Sequence, residues 1–327
     1  MMTEMQNPRN TNFHSTRIAI VGVGNVGATC AYALLLRGLA TEIVLIDANK
    51  AKAEGEVMDL NHAVPFTHPT RIWAGEYADC AGAAVTIITA GAATLKPGQT
   101  RLDLAQTNAE IYRKIVPEVA RHNPEGILLI ASNPVDAMTF AAWKLSGLPS
   151  QRVIGSGTIL DTARFRYLLS QHYGVDSRSV HAFIIGEHGD SEVPVWSLAN
   201  IAGMRLQDFC DARGLVYDQA AMDDIFRQTR DAAYAIMELK GSTYYAIGAG
   251  LAEIVEAILR DQSTVLSVSS LIKDYCGISN VYLSLPAALG QGGVEWILPM
   301  NLQPEEADAL CESAHVLRTI IEHLKLE

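Results

Sequence analysis

RIAIVGVGNVGATCAYALLLRGLATEIVLID, residues 17–47, decides the fold of this 327-residue chain. A short apolar run, RIAIVG, ends in glycine. A segment with helical spacing follows over 25–38, and a second apolar run, EIVLID, closes the unit. Apolar runs of this length bounded by glycine read as strands buried on both faces, and strand–helix–strand in sequence predicts a parallel pair joined by a crossover helix. Gly22, Gly24 and Gly27 form a GxGxxG at the strand-to-helix turn. Such a turn brings backbone close to a pyrophosphate seated on the helix N-terminus. Asp47 ends the second strand 20 residues beyond Gly27, where a carboxylate accepts from a ribose 2′-hydroxyl and repels a 2′-phosphate. The pattern therefore predicts NAD rather than NADP. As a bare structural turn, the same glycines would serve packing alone and Asp47 would cap the next helix.

Outward from this unit the alternation continues. AAVTIITA (83–90) and GILLIAS (126–132) read as further buried strands, with helices over 50–63 and 101–121. The fold class is α/β: a doubly wound parallel sheet of the Rossmann type over 17–156, then a mixed α+β catalytic domain over 157–327. Residues 1–16 are polar and read as a disordered N-terminus without the apolar core of a signal peptide. Beyond RVIGSGT (152–158), the pattern predicts a long helix over about 158–173, a strand through VHAFIIGEHG (180–189), and antiparallel pairing of TVLSVSSLI (264–272) with VYLSLPA (281–287). With no Pro/Ser-rich linker, the two domains are expected to share a broad interface and to form a cleft there.

Composition narrows the partners. A net charge of -11 without a dense Lys/Arg run argues against nucleic acid and anionic membranes. The five cysteines are scattered and never spaced as CxxC, which fits reduced thiols in a cytoplasmic protein and no metal site.

Several polar constellations carry chemistry. His188 lies between two glycines in GEHGD. Asp161 and Arg164 stand three apart in LDTAR and share a helix face, with Arg166 about 200° round from Arg164. Taken singly, these read as a satisfied core histidine and an exposed helical ion pair. LKPGQTR (95–101), SNPVD (132–136), LDTARFR, GEHGD and KGSTYYAIG (240–248) follow one another behind a dinucleotide site. In this order the chain resembles the L-lactate/malate dehydrogenase family, nearest its bacterial lactate branch, over residues 17–325.

The resemblance implies an NAD-dependent oxidoreductase of L-2-hydroxy acids and supplies roles. His188 exchanges the proton with the substrate oxygen, Asp161 orients it, and Arg164 grips the substrate carboxylate in a bidentate pair that lysine cannot reproduce. Asn133 donates to the substrate oxygen, or else caps the helix that follows it. Arg101 closes over bound substrate and steadies charge on the carbonyl oxygen. Thr243 lines the opposite pocket wall. Further cofactor contacts fall to Val26, Lys52, Tyr77, Gly91, Ala92, Ser132 and Ser156, beside Asn133. Arg166 and His181 match a pair that holds fructose 1,6-bisphosphate between subunits of activated bacterial members; an ordinary subunit contact is the alternative. The family also implies a homotetramer.

The loop departs from the family pattern. One residue is added between AGA and KPG, so either Leu95 or Thr94 occupies the position that selects substrate, and neither is cationic. A dicarboxylate would there bury a charge without its partner, at a cost of several kcal/mol. Pyruvate and lactate are the expected pair. Larger apolar 2-oxo acids come next because one methylene is worth only about 1–3 kcal/mol of discrimination. Malate comes third, and a non-catalytic nucleotide-binding protein is the remaining alternative.

Overall fold

The apolar runs pair as parallel strands whose side chains are covered above and below. The computed structural model describes residues 16–92 and 101–326, the side chain of Arg101 aside. In it β1 (Arg17–Val21) lies between β2 (Glu42–Ile46) and β4 (Ala83–Ile88), with β3 (Arg71–Ala74) outside β2. On the other side come β5 (Ile127–Ile130) and β6 (Val153–Gly155). All these pairs are parallel. The spatial order 3-2-1-4-5-6 reverses between β1 and β4, the point at which sheets of this kind leave a crevice beyond the C-terminal ends of their strands.

The sheet continues into the second half of the chain. β12 (Thr264–Ile272) pairs antiparallel with β6 through Ser269 and Gly155, then with β13 (Val281–Gly290), which pairs with β14 (Gly293–Ile297). The predicted pairing of 264–272 with 281–287 is therefore present, and it extends a single nine-stranded sheet.

Helices from both halves cover this sheet. On one face α1 (Asn25–Arg37) packs with α8 (Tyr245–Leu259), and Cys30, Leu34 and Leu35 share a core with Leu251, Ile254 and Val255. On the other face α3 (Arg101–His122) and α4 (Val135–Ser146) pack with α9 (Pro304–His323), where Tyr112, Val116, Met138 and Ile320 meet. The remaining helices are α2 (Lys50–Ala63), α5 (Ile159–Tyr173), α6 (Leu206–Arg213) and α7 (Gln219–Lys240).

One predicted element is different. The stretch 180–189 is two short strands in separate sheets: β7 (Val180–His181) pairs with β10 (Asn200–Ile201), and β8 (Ile184–Ile185) pairs with β9 (Val193–Pro194). Helix α5 supplies the reason. Arg166 Nε donates to the Ala182 carbonyl at 2.9 Å, Thr158 Oγ1 donates to the Ile184 carbonyl at 2.6 Å, and the Ile184 N–H donates to Thr162 Oγ1 at 3.0 Å. Side chains thus take the backbone groups that a continuous ladder would have used. His181 consequently lies in β7, whereas His188 follows β8, and the two do not share a strand.

Among the described residues no helix is long and apolar enough to cross a membrane, and no three His, Cys, Asp or Glu side chains cluster as metal ligands. Because α8 seals the sheet of the other half, Leu251→Ala is expected to cost about 2–5 kcal/mol. It should lower the melting temperature of one cooperative transition. Calorimetry that resolves two transitions, with only the later one shifted, would contradict this coupling.

Candidate active site

The crevice at the β1/β4 switch point is lined by the glycine-rich turn. Gly22 has φ +96°, and a Cβ there would lie 2.5 Å from the Ala90 nitrogen. A Cβ on Gly27 would meet the Gly22 carbonyl oxygen at 2.0 Å. These two glycines let helix and turn close on each other. Gly24, the residue preceding α1, is different: a Cβ there would meet nothing within 4 Å. The space over Gly24 faces a helix start that has no side-chain cap and no acid in its first turn, so its free N–H groups and positive dipole end suit a pyrophosphate. Asp47 anchors the same turn by accepting from the Val23 N–H at 2.7 Å and the Asn49 N–H at 2.8 Å. A carboxylate held there suits ribose hydroxyls, so the residues fit NAD.

The other residues expected to contact the cofactor differ in burial. Val26 and Tyr77 are half-buried and Lys52 is exposed on α2. Burial raises the Tyr77 phenol above its usual range, helped by nearby acids that include Asp47. Ser132 is buried and its hydroxyl donates to the Ala90 carbonyl at 2.7 Å, so it ties the ends of β4 and β5 together. Ser156 is likewise buried, its N–H on the Ile130 carbonyl at 2.8 Å.

Asn133 is exposed at the end of the β5 segment. It does not cap α4, whose preceding residue is Pro134 and which has no side-chain cap. Its carbonyl accepts from Asn108 Nδ2 at 2.6 Å, and Asn108 Oδ1 accepts from the Ala92 N–H at 2.7 Å. Asn108, fully buried on α3, therefore holds the Gly91–Ala92 turn and Asn133 in one frame. No motif marks this residue in the sequence.

The polar cluster lies where α5 meets the β8–β9 loop. His188 Nδ1 is 2.5 Å from Asp161 Oδ2, and Arg164 donates to Asp161 Oδ1 at 2.9 Å. Asp161 is 2% exposed, while the side chains of Arg164 and His188 keep 12% and 23%. Asp161 is in the first turn of α5, where the helix dipole also favours its charge. Burial works against the charged imidazole, yet the adjacent Asp161 carboxylate outweighs it, aided by Asp136 and Glu192, and the His188 pKa rises to about 9. Burial likewise opposes the Asp161 carboxylate, but His188 and Arg164 hold it below the usual range.

Asp136 is the last residue of SNPVD. It is buried, and its Oδ2 accepts the His188 N–H at 2.8 Å while Ser284 Oγ donates to Oδ1 at 3.2 Å. Burial lifts its pKa to about 6. It fixes the backbone of His188 relative to α4, three residues from Asn133, and so links this cluster to the crevice.

Arg166 turns away from the cluster. It stacks over the Phe183 ring at 5.2 Å and is anchored on the Ala182 carbonyl, next to exposed His181. Thr243 is half-buried in the connection between α7 and α8. Thr94 and Leu95 lie outside the described residues, as does the side chain of Arg101, which begins α3.

Family models give the same division of labour. Residues 16–155 match the lactate/malate dehydrogenase NAD binding domain, and residues 158–327 match the alpha/beta C-terminal domain of that family. The chain belongs to the lactate/malate dehydrogenase family. An L-lactate dehydrogenase of a Synechococcus species is 53% identical over 307 residues, 94% of this chain and 99% of that one. A probable L-lactate dehydrogenase of Schizosaccharomyces pombe is 50% identical, covering 97% of this chain and 96% of its own. Among solved structures, the minor L-lactate dehydrogenase of Enterococcus mundtii superposes with a TM-score of 0.92 at 40% identity, over 96% of this chain and 99% of that one.

The glycine turn of this family member yields a direct test. Gly27→Ala puts a methyl group against backbone that cannot move cheaply. NADH affinity, read from the quenching of protein fluorescence, is expected to fall at least about tenfold, the equivalent of roughly 1.4 kcal/mol.

Proposed function

We propose that this family member interconverts pyruvate and L-lactate with NAD. The observation that carries the reading is the buried Asp161 held between His188 and Arg164, tied through Asp136 to the mouth of the dinucleotide crevice. Bound NAD supplies the carbon that gives or takes the hydride. Gly22, Gly24 and Gly27 would admit its pyrophosphate and Asp47 its ribose, with Val26, Lys52, Tyr77, Gly91, Ala92, Ser132, Asn133 and Ser156 around it.

The chain's own residues provide binding and proton transfer. The outer N–H groups of Arg164 grip the substrate carboxylate as a parallel pair, while its link to Asp161 fixes the plane of the guanidinium. His188 holds Nδ1 on Asp161 and turns Nε2 to the substrate oxygen, giving a proton during reduction and taking one during oxidation. Asn133 and, from the start of α3, Arg101 stabilise charge gathering on that oxygen. Thr243 and Leu95 or Thr94 are uncharged and offer no partner to a second carboxylate.

Three finer features belong to the same reading. A homotetramer is supported by apolar side chains exposed on one chain, Met58 and Phe66 near the end of α2 and Tyr245 at the start of α8 among them. Activation by fructose 1,6-bisphosphate is supported by the guanidinium of Arg166 lying against the chain beside His181. A cytoplasmic setting is supported by five free cysteines, of which Cys30 and Cys80 are buried with pKa values pushed up to about 12.

Reduction needs a protonated His188, and its pKa is raised. Accordingly kcat/KM for pyruvate should hold below about pH 9 and fall tenfold per unit above it, whereas kcat/KM for lactate should climb up to that pH. Stopped-flow NADH absorbance across pH 6–10.5 reads both limbs, using roughly one point per half unit. A limb near pH 6.5, the ordinary histidine value, would remove Asp161 from the role given to it. On a panel of pyruvate, 2-oxoisocaproate, phenylpyruvate and oxaloacetate, pyruvate is expected to lead. Leu95→Arg should raise the oxaloacetate-to-pyruvate ratio by about tenfold or more, given the cost of the unpaired charge it relieves.

A further inference from the structure

The loop that carries His188 also contains a buried acid with no part in the steps above. Glu192, immediately before β9, is 6% exposed, and its Oε1 has no hydrogen-bond partner. Four charged groups on three elements face it: Asp161 and Arg164 from α5, His188 from its own loop, and Arg230 from α7. Arg230 is paired with Asp231 at 3.0 Å and also feels Asp190. A carboxylate in such surroundings, with one oxygen unsatisfied, is costly unless it binds a proton. Its neighbours divide into one carboxylate that opposes its ionisation and three cations that favour it. Burial, joined by Asp161, outweighs the three cations, and the Glu192 pKa rises to about 8.

His188 is faced in turn by Asp161 from α5, Asp136 from α4 and Glu192 from its own loop. Asp161 ionises readily and Asp136 has a pKa of about 6. Above neutral pH, Glu192 is therefore the last of the three acids around the imidazole to lose its proton.

We propose that Glu192 is a positioning residue that acts through His188: as a carboxylate it holds the proton on the imidazole in alkaline solution, and as a carboxylic acid it keeps negative charge out of the pocket. Loss of the Glu192 proton and retention of the His188 proton are thus linked, so the reducing form of the enzyme persists to higher pH than Asp161 alone would sustain. The inference deepens the pyruvate reading at the same site. Its decisive measurement uses no substrate, so failure of one is distinguishable from failure of the other.

The test is an NMR titration of the His188 ring in the substrate-free protein, with ring-labelled histidine and assignment by a His188→Gln control. In Glu192→Gln the His188 midpoint is expected to fall by about half a unit or more, and in Glu192→Asp to return most of the way. The alkaline limb of kcat/KM for pyruvate should fall by the same interval, while kcat/KM near pH 6 stays within about threefold because Glu192 is protonated there in the parent protein. An unmoved His188 midpoint would overturn the proposal. So would an activity loss equal at pH 6 and pH 9, which marks a purely structural side chain. Should the glutamine protein fail to fold, carboxyl-labelled glutamate in the parent protein gives the answer. Glu192 titrating two or more units above an exposed glutamate supports the assignment, and an ordinary value sinks it.

Discussion

A single buried carboxylate sets the terms for this molecule. Asp161 is 2% exposed, and a charge removed from water to that degree is tolerable only with partners on both oxygens. Arg164 meets one oxygen and His188 the other. Each partner is thereby oriented: the guanidinium by a helix-turn spacing within α5, and the imidazole across a junction between α5 and the β8–β9 loop. The same contact that makes burial bearable raises the basicity of the ring. Stability and the proposed chemistry share one hydrogen-bonded triad.

Polar residues from elsewhere hold that triad in register with the dinucleotide crevice. Asp136 accepts the His188 N–H from the first turn of α4, and Asn108 braces Asn133 against Ala92 from the middle of α3. Ser132 joins the ends of β4 and β5. All three are buried; Asn108 and Ser132 bond backbone groups just beyond the parallel strands β4 and β5, and Asp136 bonds the backbone of the loop after β8. The topological reversal between β1 and β4 creates the crevice; these side chains fix how its two rims face each other.

The sequence discloses this arrangement to differing depths. Strands β1, β2, β4 and β5 are legible because burial on both faces demands uninterrupted apolar runs, and the glycine turn is legible because Gly22 and Gly27 have no substitute in their space. His188, Asp161 and Arg164 are legible through short motifs in a fixed order. The break at Ala182–Phe183 is not, since it is caused by α5 side chains remote in sequence that take the strand's backbone groups. Asn108, Asp136 and Glu192 escape for a related reason. A buried polar residue on a helix or in a loop leaves no periodic trace, and its importance lies in partners that only the folded chain brings near. The union of β6 with β12 rests on one pair of small residues, Gly155 and Ser269, in segments with no composition of their own to announce it.

That union has mechanical meaning. With one sheet running through both halves, and α8 and α9 packed across its two faces, the two halves share one core on each side of the sheet. Gly186, two residues before His188, bridges to Ser284 of β13, so the loop that carries the imidazole is tied to that same sheet.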